Sequence, residues 1–164
     1  VDVTPQSATR VSRFSMADIR EAMFMRGALE LAAIERVASQ ITDEQLALLA
    51  RNVRLQQFLV EDGDFDGFYR ADEDFHALIL GFTGFPGVAP VVSGVALQLT
   101  RARRLSLPQA GQALESFKEH EAVLNALRAR DPKAARDAMQ RHLDRLIIRI
   151  EPLETKHAAF FAGT

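Results

Sequence analysis

A spacing constrains this chain more than any single motif does. Apolar residues recur every three or four positions along almost its whole length, and nowhere do Val, Ile and Thr gather into the alternating runs of a strand. The pattern predicts a first helix over MADIREAMFMRGALELAAIERVASQ, with Ile19, Ala22, Arg26, Leu29 and Ala33 on one face. A second opens at TDEQ, where Thr42 and Gln45 form a capping box, and runs through Leu46, Leu49, Val53 and Val60 to about EDGD. A third, FDGFYRADEDFHALILGFTG, ends at Gly84. The segment FPGVAP reads as a turn, and a fourth helix, VVSGVALQLTRARRLSL, is stopped by Pro108. A fifth covers ALESFKEHEAVLNALRAR. The junction RDPKAA is a restart, with Asp131 as N-cap and Pro132 at the first helical position. The sixth helix runs at least to Pro152, and LETKHAAFFAGT is a further turn or a loose tail. The fold class is all-α: an antiparallel bundle of six to seven helices.

The bulk numbers narrow the partners. The chain has 164 residues, enough for one domain with its own core, and 48% of them are hydrophobic. A net charge of −2 argues against nucleic-acid binding through overall charge. With no cysteine there is no thiolate zinc site and no cysteine nucleophile. No run reaches the roughly 18 apolar residues of a membrane span, so no membrane association and a cytoplasmic location are expected. Residues 1–14 read as a linker and 15–164 as the helical domain. The chain lacks an initiator Met, which suggests a processed product or a fragment.

Four histidines are present, and three of them fall on apolar helical stripes. His76 shares a face with Asp72 and Ile79; His120 follows Phe117 and precedes Leu124 and Leu127; His142 is in line with Ala135, Ala138, Met139 and Leu146. His157, beyond Pro152, matches nothing and reads as a tail residue. Singly, each inward imidazole is a packed side chain bonded to a carbonyl, and Asp72 with His76 is a helical ion pair. Together, three inward imidazoles and a carboxylate from different helices are costly without a common partner. A divalent cation supplies one, with Zn or Ni favoured by imidazole and Mn possible with a carboxylate.

The ordered set of Asp72 and His76 in DEDFH, His120 in EHEAVLNAL, and His142 in RDPKAARDAMQRHL resembles the C-terminal ligand-sensing (FCD) domain of GntR-type transcription regulators of the FadR subfamily. So does MRGALELAAIERVA as a first helix. The resemblance covers about Ala17 to Ile150. It implies a metal held by Asp72, His76, His120 and His142, a small carboxylate effector beside it, a homodimer, and DNA contact only through a winged-helix domain that this chain does not include. The family's Asn-Pro pair is replaced at TGFPGV, where Phe85 precedes Pro86.

Arg26 interrupts the first apolar stripe and Arg103 extends the stripe Val92, Ala96, Leu99, so both are candidates to clamp an acid. Either could instead snorkel or pair with an acid such as Glu30. Tyr69, about one turn before Asp72, is a candidate pocket hydroxyl. Glu119 points away from its neighbour His120 on a helix, which favours a surface role. Three classes of function compete: a ligand-sensing domain without chemistry, a helical metalloenzyme acting on a small acid, and a bundle that only mediates protein contacts, with structural histidines or a purely structural metal. No separate base or nucleophile is evident and the paired Glu-x-x-His of di-iron bundles is missing, so a non-enzyme is expected.

Overall fold

The computed structural model describes residues 15–109 and 111–156, apart from the side chains of Gln98 and Arg101. His157 and the proposed linker 1–14 lie outside the described residues. Among the described residues six helices follow one another: α1 Met16–Ala38, α2 Asp43–Asp62, α3 Phe65–Gly81, α4 Val88–Ser106, α5 Gln112–Arg128 and α6 Pro132–Lys156.

Local chemistry accounts for most of the ends. The Ser15 hydroxyl accepts from the Ala17 amide at 3.1 Å and so caps α1. The Thr42–Gln45 capping box forms as expected, with both reciprocal bonds in place. Gly63 stops α2 at φ 72°, a left-handed conformation that costs glycine little. Asp131 caps α6 by accepting from the Ala134 amide at 3.0 Å.

Two expectations need correction. The third helix ends at Gly81, not Gly84; Gly84 lies in the following turn at φ 79°. The fourth begins at Val88, three residues earlier than its apolar pattern suggests. Pro90 lies in its first turn, where the missing N–H would have had no intrahelical partner. The sixth helix runs, as expected, at least to Pro152, and it continues to Lys156 as a further turn. The carbonyl that Pro152 deprives of a donor belongs to Ile148, which is exposed, so water can satisfy it.

The helix α1 packs against α6 and α4, α5 against α6 and α2, and α2 against α3. The apolar interior is divided. One cluster joins Leu31, Ile34, Val53, Phe68, Phe75, Leu127 and Met139; a second joins Ile19, Ala22, Leu99, Leu146 and Ile150. On α1, Arg26 and Glu30 fall between the two clusters, and on α6 His142 lies beside their boundary, next to Leu143 of the first and one turn before Leu146 of the second. The fold therefore holds a buried polar layer between two apolar cores. Buried polar groups need partners, and the identity of those partners defines the site.

Candidate metal and anion centre

The four expected ligands meet. Asp72, His76, His120 and His142 are buried, and each offers a donor atom within 4.8 Å of the others. The His142 Nε2 is 3.2 Å from His76 Nε2 and 3.3 Å from His120 Nε2, and Asp72 Oδ1 is 3.6 Å from His120 Nε2. Two nitrogens at zinc-ligand distance from one ion, at the tetrahedral angle, stand about 3.3 Å apart.

The outer ring nitrogens decide what those inner nitrogens carry. His76 Nδ1 lies 2.5 Å from Glu30 Oε2, His120 Nδ1 2.7 Å from Gln56 Oε1, and His142 Nδ1 2.8 Å from Glu119 Oε2. All three partners are acceptors. The Gln56 amide is oriented by its own NH2 group, which donates to Asn52 Oδ1 at 2.7 Å. Each Nδ1 is therefore the N–H, and each neutral ring turns an unprotonated Nε2 inward. Burial keeps the rings neutral. It pushes His76 below its ordinary value of 6.5 despite Glu30, and it pushes His120 and His142 well below, helped by the neighbouring imidazoles. Three lone pairs thus converge with no donor between them. A cation resolves this, and the donor set of three imidazoles and one carboxylate fits a divalent transition metal.

A pH effect follows for the metal-free chain. Each histidine has a folded pKa below its unfolded 6.5, so below that pH the unfolded chain takes up protons that the native one refuses. Stability is fully present above about pH 6.5 and is lost as pH falls through it, by roughly 1 kcal/mol per imidazole one pH unit lower. Urea denaturation of chelator-stripped protein at about pH 8 and about pH 5.5 measures this. An unchanged midpoint would mean that the rings are not buried neutral.

Each carboxylate in the layer is also held by an arginine. Arg26 Nε donates to Glu30, Arg103 Nη2 to Asp72, and Arg149 Nη2 to Glu119 at 2.6 Å. Arg149 also donates to Ser116 Oγ at 3.0 Å. Burial, with the nearby charge of Arg26, lowers Arg103 to about 9, which leaves it charged at neutral pH. Arg26 and Arg103 line a cleft of about 330 Å³ with Glu30, His76 and Ser93. Tyr69 is not among its lining residues. It stands behind Arg103, with the guanidinium 4.9 Å from its ring centroid and its hydroxyl donating to Glu73 at 2.6 Å.

The expectation of a surface role for Glu119 is overturned. It does point away from His120, but that direction is toward α6, where it meets His142 and Arg149. Glu30, Gln56 and Arg149 were not singled out as partners of the histidine cluster. Gln56 left a visible signal: it sits three residues after Val53 on the buried stripe of α2 and is itself fully buried. Glu119→Gln keeps the shape but weakens the acceptor at His142 Nδ1. Partners of this kind are worth about 10–100-fold in metal affinity, so a loss in that range is expected from competition with a chromophoric chelator. Unchanged affinity would sink the orienting role.

Comparison with known proteins places this architecture. The signature of a family described as "FCD domain" matches residues 21–145. The chain belongs to the FCD domain family. Among its relatives is the HTH-type transcriptional repressor RspR of Escherichia coli K12, 26% identical over 162 residues, spanning 99% of this chain and 71% of the relative. The HTH-type transcriptional repressor NanR of Klebsiella aerogenes is 32% identical over 119 residues, covering 70% of this chain and 44% of NanR. The solved E. coli McbR/YncC superposes with a TM-score of 0.81 at 19% identity, over 92% of this chain and 76% of that one. A Streptococcus agalactiae GntR gives 0.67 at 25% identity, over 82% and 59%. The FCD relatives are transcription regulators, not enzymes, and this chain is an effector-binding domain of that GntR type. Among the described residues, no helix is long and apolar enough to cross a membrane.

Proposed function

We propose that this FCD domain binds one divalent metal through Asp72, His76, His120 and His142 and uses it to hold a small carboxylate effector. The observation that carries the reading is the convergence of three unprotonated Nε2 atoms and a carboxylate in a buried layer. Zn or Ni suits the imidazoles best, with Mn a second choice. The adjoining cleft supports the effector: two buried guanidiniums line it, and Nη1 of Arg26 is buried without a partner among the described residues. When bound, the metal supplies positive charge at the inner end of that cleft. Arg26 and Arg103 supply donors for the remaining oxygens of an acid, while Tyr69 positions Arg103.

The effector would act on DNA binding by a winged-helix domain through the geometry of a homodimer, and this requires it to prefer one of two arrangements. Phe24, 79% exposed beside an apolar groove between α1 and α6, supports pairing through the helical domain. Sedimentation at micromolar concentration tests the dimer, and a monomer only would remove it. The metal-anchored site is tested by elemental analysis and by calorimetry with small acids before and after chelation. One metal per chain and acid binding that disappears with the metal are expected. Acid binding indifferent to chelation, or none at all, would leave a structural metal as the better reading.

A further inference from the structure

Charges in the polar layer pair off one to one. Arg26, Arg103 and Arg149 are matched by Glu30, Asp72 and Glu119, and each histidine turns its Nδ1–H to an acceptor and its Nε2 toward the other rings, as a neutral imidazole does, so the shell sums to zero. The other charged groups that face it sit outward and are screened. Arg145 reaches Glu119 at 3.6 Å and Glu115 reaches Arg149 at 3.5 Å, both with more than half of the side chain exposed. Glu73 and Asp74 are exposed on the cleft's outer lining. A divalent ion therefore leaves the layer with about two uncompensated positive charges in a water-poor interior, where such charge is costly. A monoanion would cancel only one of them.

The second observation is local. The Arg26 side chain is 97% buried, yet its Nη1 has no hydrogen-bond partner among the described residues. Its Nε is already committed to Glu30. Arg103 lines the same cleft. Two like charges around an unfilled donor define an anion position, separate from the histidine cluster but next to it. Glu73 and Asp74 set the outer limit, because a charge carried out to them meets carboxylates of its own sign.

We infer that the effector is a compact dianion, a short-chain dicarboxylate, with one carboxylate toward the histidine cluster and the other between Arg26 and Arg103. This rests on the metal-anchored reading above and adds the charge and the length of the ligand. At about 330 Å³ the cleft is at the small end of ligand sites, as a short acid requires.

The experiment is calorimetry on the chain reloaded with Zn(II), with malonate, succinate, adipate and propionate as probes. Malonate or succinate should bind at least about tenfold more tightly than propionate, since charge-assisted bonds to a buried arginine are the strong ones. Adipate should lose that advantage at the acidic rim. Arg26→Lys keeps a charge beside Glu30 but cannot present Nη1, so it should narrow the gap between succinate and propionate to about twofold while propionate still binds. Arg26→Gln is the harsher companion variant, read only if circular dichroism shows it folded. Propionate matching succinate in the wild type, with binding still metal-dependent, overturns the dianion and leaves the proposed function standing. An undiminished gap in Arg26→Lys overturns the Arg26 placement and with it this inference. If none of the four acids binds the zinc-loaded chain, the proposed function falls first.

Discussion

His142→Ala is expected to lower metal affinity by more than about a hundredfold, beyond the 10–100-fold typical of losing a partner that only orients a ligand. His142 is the hub of the cluster: its Nε2 is the atom within 3.3 Å of both other imidazole Nε2 atoms. The same change should appear in stability. A ligand at a hundred times its Kd stabilises by about 2.7 kcal/mol, whereas after a hundredfold loss the same free metal gives only about 0.4 kcal/mol. Thermal unfolding with and without metal should therefore show a large shift for the wild type and almost none for the variant. Glu119 retains Arg149 as its partner after the substitution, so no buried carboxylate is stranded. A variant that keeps stoichiometric metal would exclude this ligand set.

Residues related by helical period were the legible ones. Asp72 and His76, one turn apart, announce a shared face, and His120 and His142 interrupt apolar stripes that otherwise predict burial. All four lie where that reasoning puts them. Illegible were contacts set by how helices pack. Glu30 meets His76 across 46 positions, Gln56 meets His120 across 64, and Arg149 meets Glu119 across 30. A helical period shows that a side chain turns inward but not which helix faces it. Glu119 illustrates the limit, because its angle relative to His120 was read correctly and its destination was not. The start of α4 was missed for a different reason: Pro90 looks like a break, but it occupies a first turn.

The arginine–carboxylate pairs also separate affinity from stability. Surface pairs such as Arg20 with Glu151, at 2.9 Å and about half exposed, contribute at most about 1 kcal/mol. Glu30 is different. It is 1% exposed and is shared between Arg26 and His76. Burial alone would raise its carboxyl, but the charge of Arg26 and hydrogen bonds from both neighbours outweigh that and hold it well below the ordinary carboxylate range. With a folded pKa below the unfolded 4.5, its contribution is present above that pH and is lost as pH falls below it.

Glu30→Ala should accordingly be the most destabilising single change in the layer, by about 3–5 kcal/mol in the metal-free chain. It leaves Arg26 as an unpaired buried charge and strips His76 Nδ1 of its acceptor in one step. A domain of this kind has roughly 5–15 kcal/mol in all, so the variant would sit near the edge of folding. The loss would come from the stranded guanidinium more than from the pair's own worth, and the double variant Arg26→Met with Glu30→Met separates the two. Removing both charges while filling the space should recover most of the denaturation midpoint, as buried pairs replaced by apolar residues often do. The recovered protein should still lack the anion position, because Nη1 of Arg26 is gone, and should bind metal more weakly, because His76 is no longer oriented. If Glu30→Ala unfolds at the wild-type midpoint in urea, the buried pair is not what holds α1 against the layer. If the double variant is as unstable as the single one, shape at this seam matters more than charge.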